Sequence, residues 1–160
     1  MSILLDRESL LVEVEGGETL GHLEAYLASS ELTLDVEGAT SPNDTVASWL
    51  ARGARGARDA WLDPADHLLA GLEMRLHDGT HVAIRPAPRR AVGPDLVSLV
   101  VGMQERYATV ERAWLRVQRV GVKRPDHGRL GVDLDPPLEA GETRLLGAIA
   151  KSLAGAGHSR

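Results

Sequence analysis

A chain of 160 residues fits one domain with a hydrophobic core of its own. It has no cysteine, which excludes disulfides, thiolate metal sites and cysteine nucleophiles. A formal net charge of −5 argues against a general nucleic-acid binder, because phosphate neutralisation needs a positive surface.

With three Trp, two Tyr and no Phe, the core must be built from Leu, Val, Ile and Ala. At the N-terminus, Asp6, Arg7 and Glu8 interrupt the apolar Ile3-Leu4-Leu5 run, so no signal peptide is expected. Residues 96–103 form the longest apolar stretch, too short to cross a bilayer. These features predict a soluble, cytoplasmic protein with no membrane insertion.

Residues 10–15 read as a strand, with Leu10, Val12 and Val14 on one face. Gly16-Gly17 breaks it, and residues 18–30 follow as a helix with Leu20, Leu23 and Leu27 as the inward stripe. Residues 33–36 form a short extended piece. Asp44 or Thr45 caps a short helix through Val46, Trp49 and Leu50. Residues 51–64, rich in Gly, Ala and Arg, read as a surface loop.

Leu68, Ala70, Leu72, Met74 and Leu76 alternate, Asp78-Gly79 supplies the positive φ angles of a tight turn, and Val82 and Ile84 alternate again: a β-hairpin. Pro94 starts a helix over residues 95–102. Residues 109–120 read as one long strand with mixed faces, which leaves its buried side undecided. A short strand at 130–134 and an amphipathic helix over 142–154 complete the chain. The fold class is α+β, a mostly antiparallel sheet with packed helices. Residues 1–120 form the main body, and residues 121–160 form an extension packed on it.

Four stretches also carry a resemblance. Val12-Glu13-Val14-Glu15-Gly16-Gly17 with Leu20-Gly21-His22-Leu23 is similar to "VEAGVTLGDL", and residues 45–51 are similar to "TVGGWIA". Residues 66–79 are similar to "EDLVLGLEVVLADG". Pro86-Ala87-Pro88-Arg89 and Gly93-Pro94-Asp95-Leu96 resemble "PAPR…GPDL". In this order and near this spacing, residues 11–120 resemble the second subdomain of the FAD-binding domain of the vanillyl-alcohol oxidase and p-cresol methylhydroxylase superfamily. The branch of alkyl-dihydroxyacetone-phosphate synthase and the glycolate and D-lactate dehydrogenases is the most similar.

The resemblance implies a cofactor site and also its decay. The chain begins after the family's glycine-rich phosphate-binding loop, so the isolated chain is expected to carry no FAD. The family's Gly-Gly pair stands here as Ala47-Ser48, and its "GSEGTLGVIT" becomes residues 102–111, with Glu105 in place of a glycine. Vestigial cofactor positions are Ala47, Ser48, Arg52, Arg55, Gly56 and Gly102.

Arg52, Arg55 and Arg58, with Arg89 and Arg90, read either as a residual anion site or as a solvated arginine loop. His77 and His81 flank the hairpin turn without an obvious third ligand, so no metal site is assigned. His67 receives no role, and no catalytic residue is assigned. Asp63, Asp66, Asp133 and Asp135 read as turn residues. Trp49 reads as core and Trp114 as undecided, while Trp61, Met103 and Tyr107 are the candidate interface.

The function expected is a non-catalytic protein-interaction or scaffold module derived from an FAD-linked oxidase domain. It would act as a homodimer or with a separate protein subunit, with no nucleic acid. The alternative is an FAD-binding subunit or fragment of a split flavin-dependent oxidoreductase.

Overall fold

The structure, a computed structural model, describes residues 3–36, 40–57, 68–86 and 96–122. The chain divides into two units, Met1–Pro125 and Asp126–Arg160, and the second lies outside the described residues. So do Arg58, Trp61, Asp63, Asp66, His67, Arg89, Arg90, Pro94, Asp133, Asp135, the 130–134 strand and the 142–154 helix of the sequence reading.

The first strand is one that the sequence pattern left unassigned. β1 (Ile3–Asp6) pairs antiparallel with β2 (Leu11–Glu15), from Ile3 opposite Val14 to Asp6 opposite Leu11. Asp6 Oδ1 closes the turn by accepting from the N–H groups of Glu8 (3.0 Å) and Ser9 (3.1 Å). Val12 and Val14 are fully buried, as their alternation predicts, whereas Leu10 sits at φ +52° and belongs to the turn.

Helix α1 (Leu20–Ala28) is shorter than residues 18–30, but it buries the expected Leu20, Leu23 and Leu27. Burying each leucine stabilises the fold by about 2 kcal/mol relative to exposure. The Glu24 carboxylate accepts from the Thr33 hydroxyl (2.9 Å) and the Leu34 N–H (2.8 Å). That anchors β3 (Leu32–Thr33) to the helix.

Helix α2 (Val46–Ala51) has Thr45 as its N-cap, with the hydroxyl accepting from the Ser48 N–H at 3.2 Å. Over residues 51–57, the described part of the expected surface loop, Ala51 ends α2 and Ala51, Ala54 and Ala57 are all buried. Left-handed residues at Gly53 (φ +86°), Ala54 (φ +51°) and Gly56 (φ +75°) fold the chain back onto the core. The Trp49 indole, itself core, donates to the Arg55 carbonyl at 2.8 Å.

β4 (Leu69–Leu76) and β5 (His81–Ile84) form the expected hairpin. Its turn differs from the expectation in one respect: Gly79 has φ +87°, whereas Asp78 is not left-handed. Leu76 N–H bonds the Thr80 carbonyl (2.9 Å), so His77, Asp78 and Gly79 form a three-residue loop. Such loops need only one left-handed residue.

The helix expected at 95–102 is instead a single 3-10 turn, Leu96–Leu99. The Val100 N–H reaches back only to Val97 (3.0 Å), and Gly102, at φ +77°, ends the run.

The long strand at 109–120 is two strands. β6 (Ala108–Arg116) joins the main sheet, and β7 (Gln118–Arg119) leaves it to pair with β3. The sheet is five-stranded and antiparallel in order β1-β2-β6-β4-β5.

β6 also explains its own mixed faces. Glu73 opposes Arg112 and Met74 opposes Val110, so Glu111 is an extra residue in the ladder, a β-bulge. The bulge inverts the alternation. Ala108 and Val110 point inward before it, Ala113 and Leu115 after it, and all four are buried. The inner face packs on the core shared with α1 and α2, while Glu13, Glu73, Arg112, Trp114 and Arg116 lie on the outer face.

Candidate functional site

Both helices start from one small bridge. Thr19 and Thr45, the two N-caps, pair antiparallel. The Leu20 N–H bonds the Asp44 carbonyl and the Val46 N–H bonds the Glu18 carbonyl, each at 2.9 Å. Each helix thereby satisfies one otherwise orphaned donor of the other.

Glu18 is buried beside this bridge, with its Oε1 accepting from the Thr19 N–H (3.0 Å) and meeting His22 Nδ1 at 2.9 Å. Its Oε2 is buried without a partner. Burial pushes the Glu18 carboxyl up, but the hydrogen bonds from His22 and Thr19 and the His22 charge outweigh it, so its pKa lies below the usual value. Nothing in the local pattern singles out Glu18 for burial.

The positions implied by the resemblance gather around α2. Ala47 is buried and donates its N–H to the Gly16 carbonyl (2.8 Å). Arg52 donates to the Ser48 hydroxyl at 2.8 Å and pairs with Asp44 at 2.6 Å. Asp44, read from sequence as a possible cap, is therefore the counter-ion of Arg52. The Arg55 carbonyl holds the Trp49 indole and the Thr40 hydroxyl, each at 2.8 Å.

Gly102 meets Gly53 backbone to backbone. A Cβ built on Gly53 would lie 3.8 Å from the Gly102 Cα. The segment after Gly102 closes α2, with the Gly102 N–H bonding the Leu50 carbonyl (3.1 Å) and the Gln104 N–H bonding the Ala51 carbonyl (2.8 Å). Gln104 (φ +51°) and Glu105 (φ +58°) are both left-handed. Glu105 thus keeps a backbone that favours glycine at the position where the resemblance places one.

The two histidines of the hairpin have separate partners. His77 Nε2 contacts the Glu105 carbonyl at 2.9 Å, and His81 Nε2 lies 3.3 Å from Glu111. Among the described residues no three His, Asp or Glu side chains gather as metal ligands would. Met103 is 40 % exposed and Tyr107 is half-buried.

The FAD binding domain family matches residues 2–85, more than half of the chain. The chain belongs to that family. Two crystal forms of alkyldihydroxyacetonephosphate synthase share the fold, with TM-scores of 0.60 and 0.61 at 18 % and 19 % identity. Each match covers 74 % of this chain but only 21 % and 23 % of the synthase, so the chain spans less than a quarter of those proteins. No curated protein matches the sequence. Family and fold together bear out the resemblance and the α+β class.

The family implies FAD as a cofactor, whose diphosphate would need donors around α2. A diphosphate needs converging free N–H groups or unpaired cations. The N–H groups of Ala47, Ser48, Gly102 and Gln104 are already committed to Gly16, Thr45, Leu50 and Ala51. Arg52 is neutralised by Asp44. These four N–H groups and Arg52 do not fit a diphosphate in this arrangement. Among the described residues, no helix is long and apolar enough to cross a membrane.

Proposed function

We propose that this FAD-binding-domain chain is a non-catalytic interaction or scaffold module that does not grip a flavin by itself. The observation that carries this reading is the commitment of the α2 donors: the Gly102 and Gln104 N–H groups cap helix carbonyls, and Arg52 is held by Asp44. A flavin diphosphate would have to break these contacts and approach the Glu105 carboxylate, an uphill exchange in any solvent-poor site. Its partners are polypeptides, either a second copy or a separate subunit.

Calorimetric titration of the full chain with FAD, FMN and ADP tests this. Binding no tighter than about millimolar is expected. Stoichiometric micromolar binding would defeat the reading.

A second reading is favoured by family membership and by the Gly53–Gly102 approach, which leaves backbone bare of side chains. In it, the chain is an FAD-binding fragment of a split flavin-dependent oxidoreductase, completed by another polypeptide. Retention of FAD only after co-expression with that polypeptide would distinguish it.

A further inference from the structure

Among the described residues on the outer face of the sheet, Arg116 is a cation that the fold leaves unanswered. Arg112 on β6 pairs with Glu13 (3.3 Å) and with Glu73 (3.5 Å), and Arg75 on β4 pairs with Glu111 (2.6 Å). These two guanidiniums and three carboxylates pair across three strands. Arg116, two residues beyond Trp114 on the same face, is half-buried, and its buried Nε meets no acceptor. Its cross-strand neighbour is Leu11, followed by Asp6, whose Oδ1 is already committed to the turn at Glu8 and Ser9. A buried guanidinium nitrogen without an acceptor is rare in a finished fold, and the rest of this guanidinium is not sealed and can meet a partner.

Trp114 lies beside it. Its indole N–H is held by Glu13 at 3.0 Å, which fixes the ring, and it is only half-buried. On its other side the cross-strand neighbour is Gly71, over which the Pro86 ring lies, with its Cδ 3.0 Å from where a Gly71 Cβ would be. Gly71 is required, because a Cβ there would lie 2.5 Å from the Ile84 carbonyl oxygen. Leu4, 57 % exposed, continues the same row beyond Glu13. The face therefore combines a fixed aromatic plate, exposed aliphatic surface and an unanswered cation, the composition of an interface anchor.

We propose that this face, centred on Trp114 and Arg116, docks a segment of another polypeptide, with a partner carboxylate beside an apolar side chain. The carboxylate meets the Arg116 guanidinium, and the apolar group lies on Trp114. This rests on the interaction reading above and assigns it a surface other than the Met103–Tyr107 segment. Charge complementarity selects the partner group, since Arg75 and Arg112 each have a carboxylate on this face, Arg116 has none, and a planar guanidinium suits a carboxylate.

The test presents the full chain to a displayed library of random linear peptides and measures the selected peptides by calorimetry. Enrichment of Asp or Glu next to Leu, Ile or Phe is expected. Affinity should fall roughly tenfold or more in Arg116→Gln, fall less in Arg116→Lys, and stay unchanged in Met103→Ala. Arg116→Gln should also melt no lower than wild type, because the guanidinium has no partner to lose.

A lower melting point would make Arg116 a structural group and overturn the proposal. So would the absence of enrichment, enrichment without acidic residues, or saturable binding of free acetate with no peptide selected. Peptides that bind Arg116→Gln normally but are lost in Met103→Ala would refute this surface while the interaction reading stands. Micromolar FAD binding would instead defeat that reading.

Discussion

Gly16 lies so close to Val110 that a Cβ on the glycine would come within 2.1 Å of the Val110 carbonyl oxygen. The contact falls where β2 ends against the β6 bulge, and the Gly16 N–H bonds the Glu111 carbonyl at 2.8 Å. One residue on, Gly17 has nothing within 4 Å of a Cβ. Of the two glycines that look alike in the sequence, only the first is sterically required. Gly16→Ala should therefore destabilise the fold by about 3 kcal/mol, because backbone rather than a flexible side chain must move. Gly17→Ala should change stability by less than about 0.5 kcal/mol. Urea denaturation midpoints of the two variants check the difference.

Glu105→Gly should stabilise the protein by about 0.5 kcal/mol. A left-handed non-glycine residue costs about 1–2 kcal/mol, and part of that relief is offset by the greater freedom of glycine in the unfolded chain. Gly102→Ala, at φ +77°, should shift stability the other way by about 1 kcal/mol. Thermal melts of both variants give the signs. A destabilised Glu105→Gly would mean that the carboxylate contributes more than its strained backbone costs.

Glu18 predicts an acid-side loss of stability. Its folded pKa lies below the ordinary glutamate value of 4.5, so it contributes stability above its unfolded pKa. That contribution disappears as pH falls from above 4.5 through the lowered folded value. Glu18→Gln should flatten the stability–pH curve on that acidic limb and leave its slope near neutrality little changed. Denaturation series from neutral to acid pH, wild type against variant, give the answer, and identical acid limbs would rule out the Glu18 account.

Gly79→Val tests the hairpin. With Gly79 at φ +87°, a β-branched residue should cost about 1–2 kcal/mol. Asp78→Ala removes the acceptor of the Thr80 N–H (2.8 Å), the main cause of the lowered Asp78 pKa, and should cost less because this carboxylate is fully exposed. Reversed ranks in chemical denaturation would contradict the three-residue loop.

Local chemistry made much of this protein readable before any coordinates. The stripe Leu20, Leu23 and Leu27, the Thr45 cap and the Asp78-Gly79 turn depend on residues near in sequence, and each lies where its pattern points. The family resemblance was legible for the same reason, since its motifs are contiguous stretches. What depended on a second strand was not legible. The faces of β6 are set by Glu111, an extra residue only relative to β4, and the end of β6 is set by the pairing of Gln118–Arg119 with β3. Glu18 is buried, Asp44 answers Arg52, and Arg116 goes unanswered because of what distant segments bring beside them. Periodicity reports which way a side chain points along its own strand. Which groups it then meets is decided only when the sheet closes around the bulge.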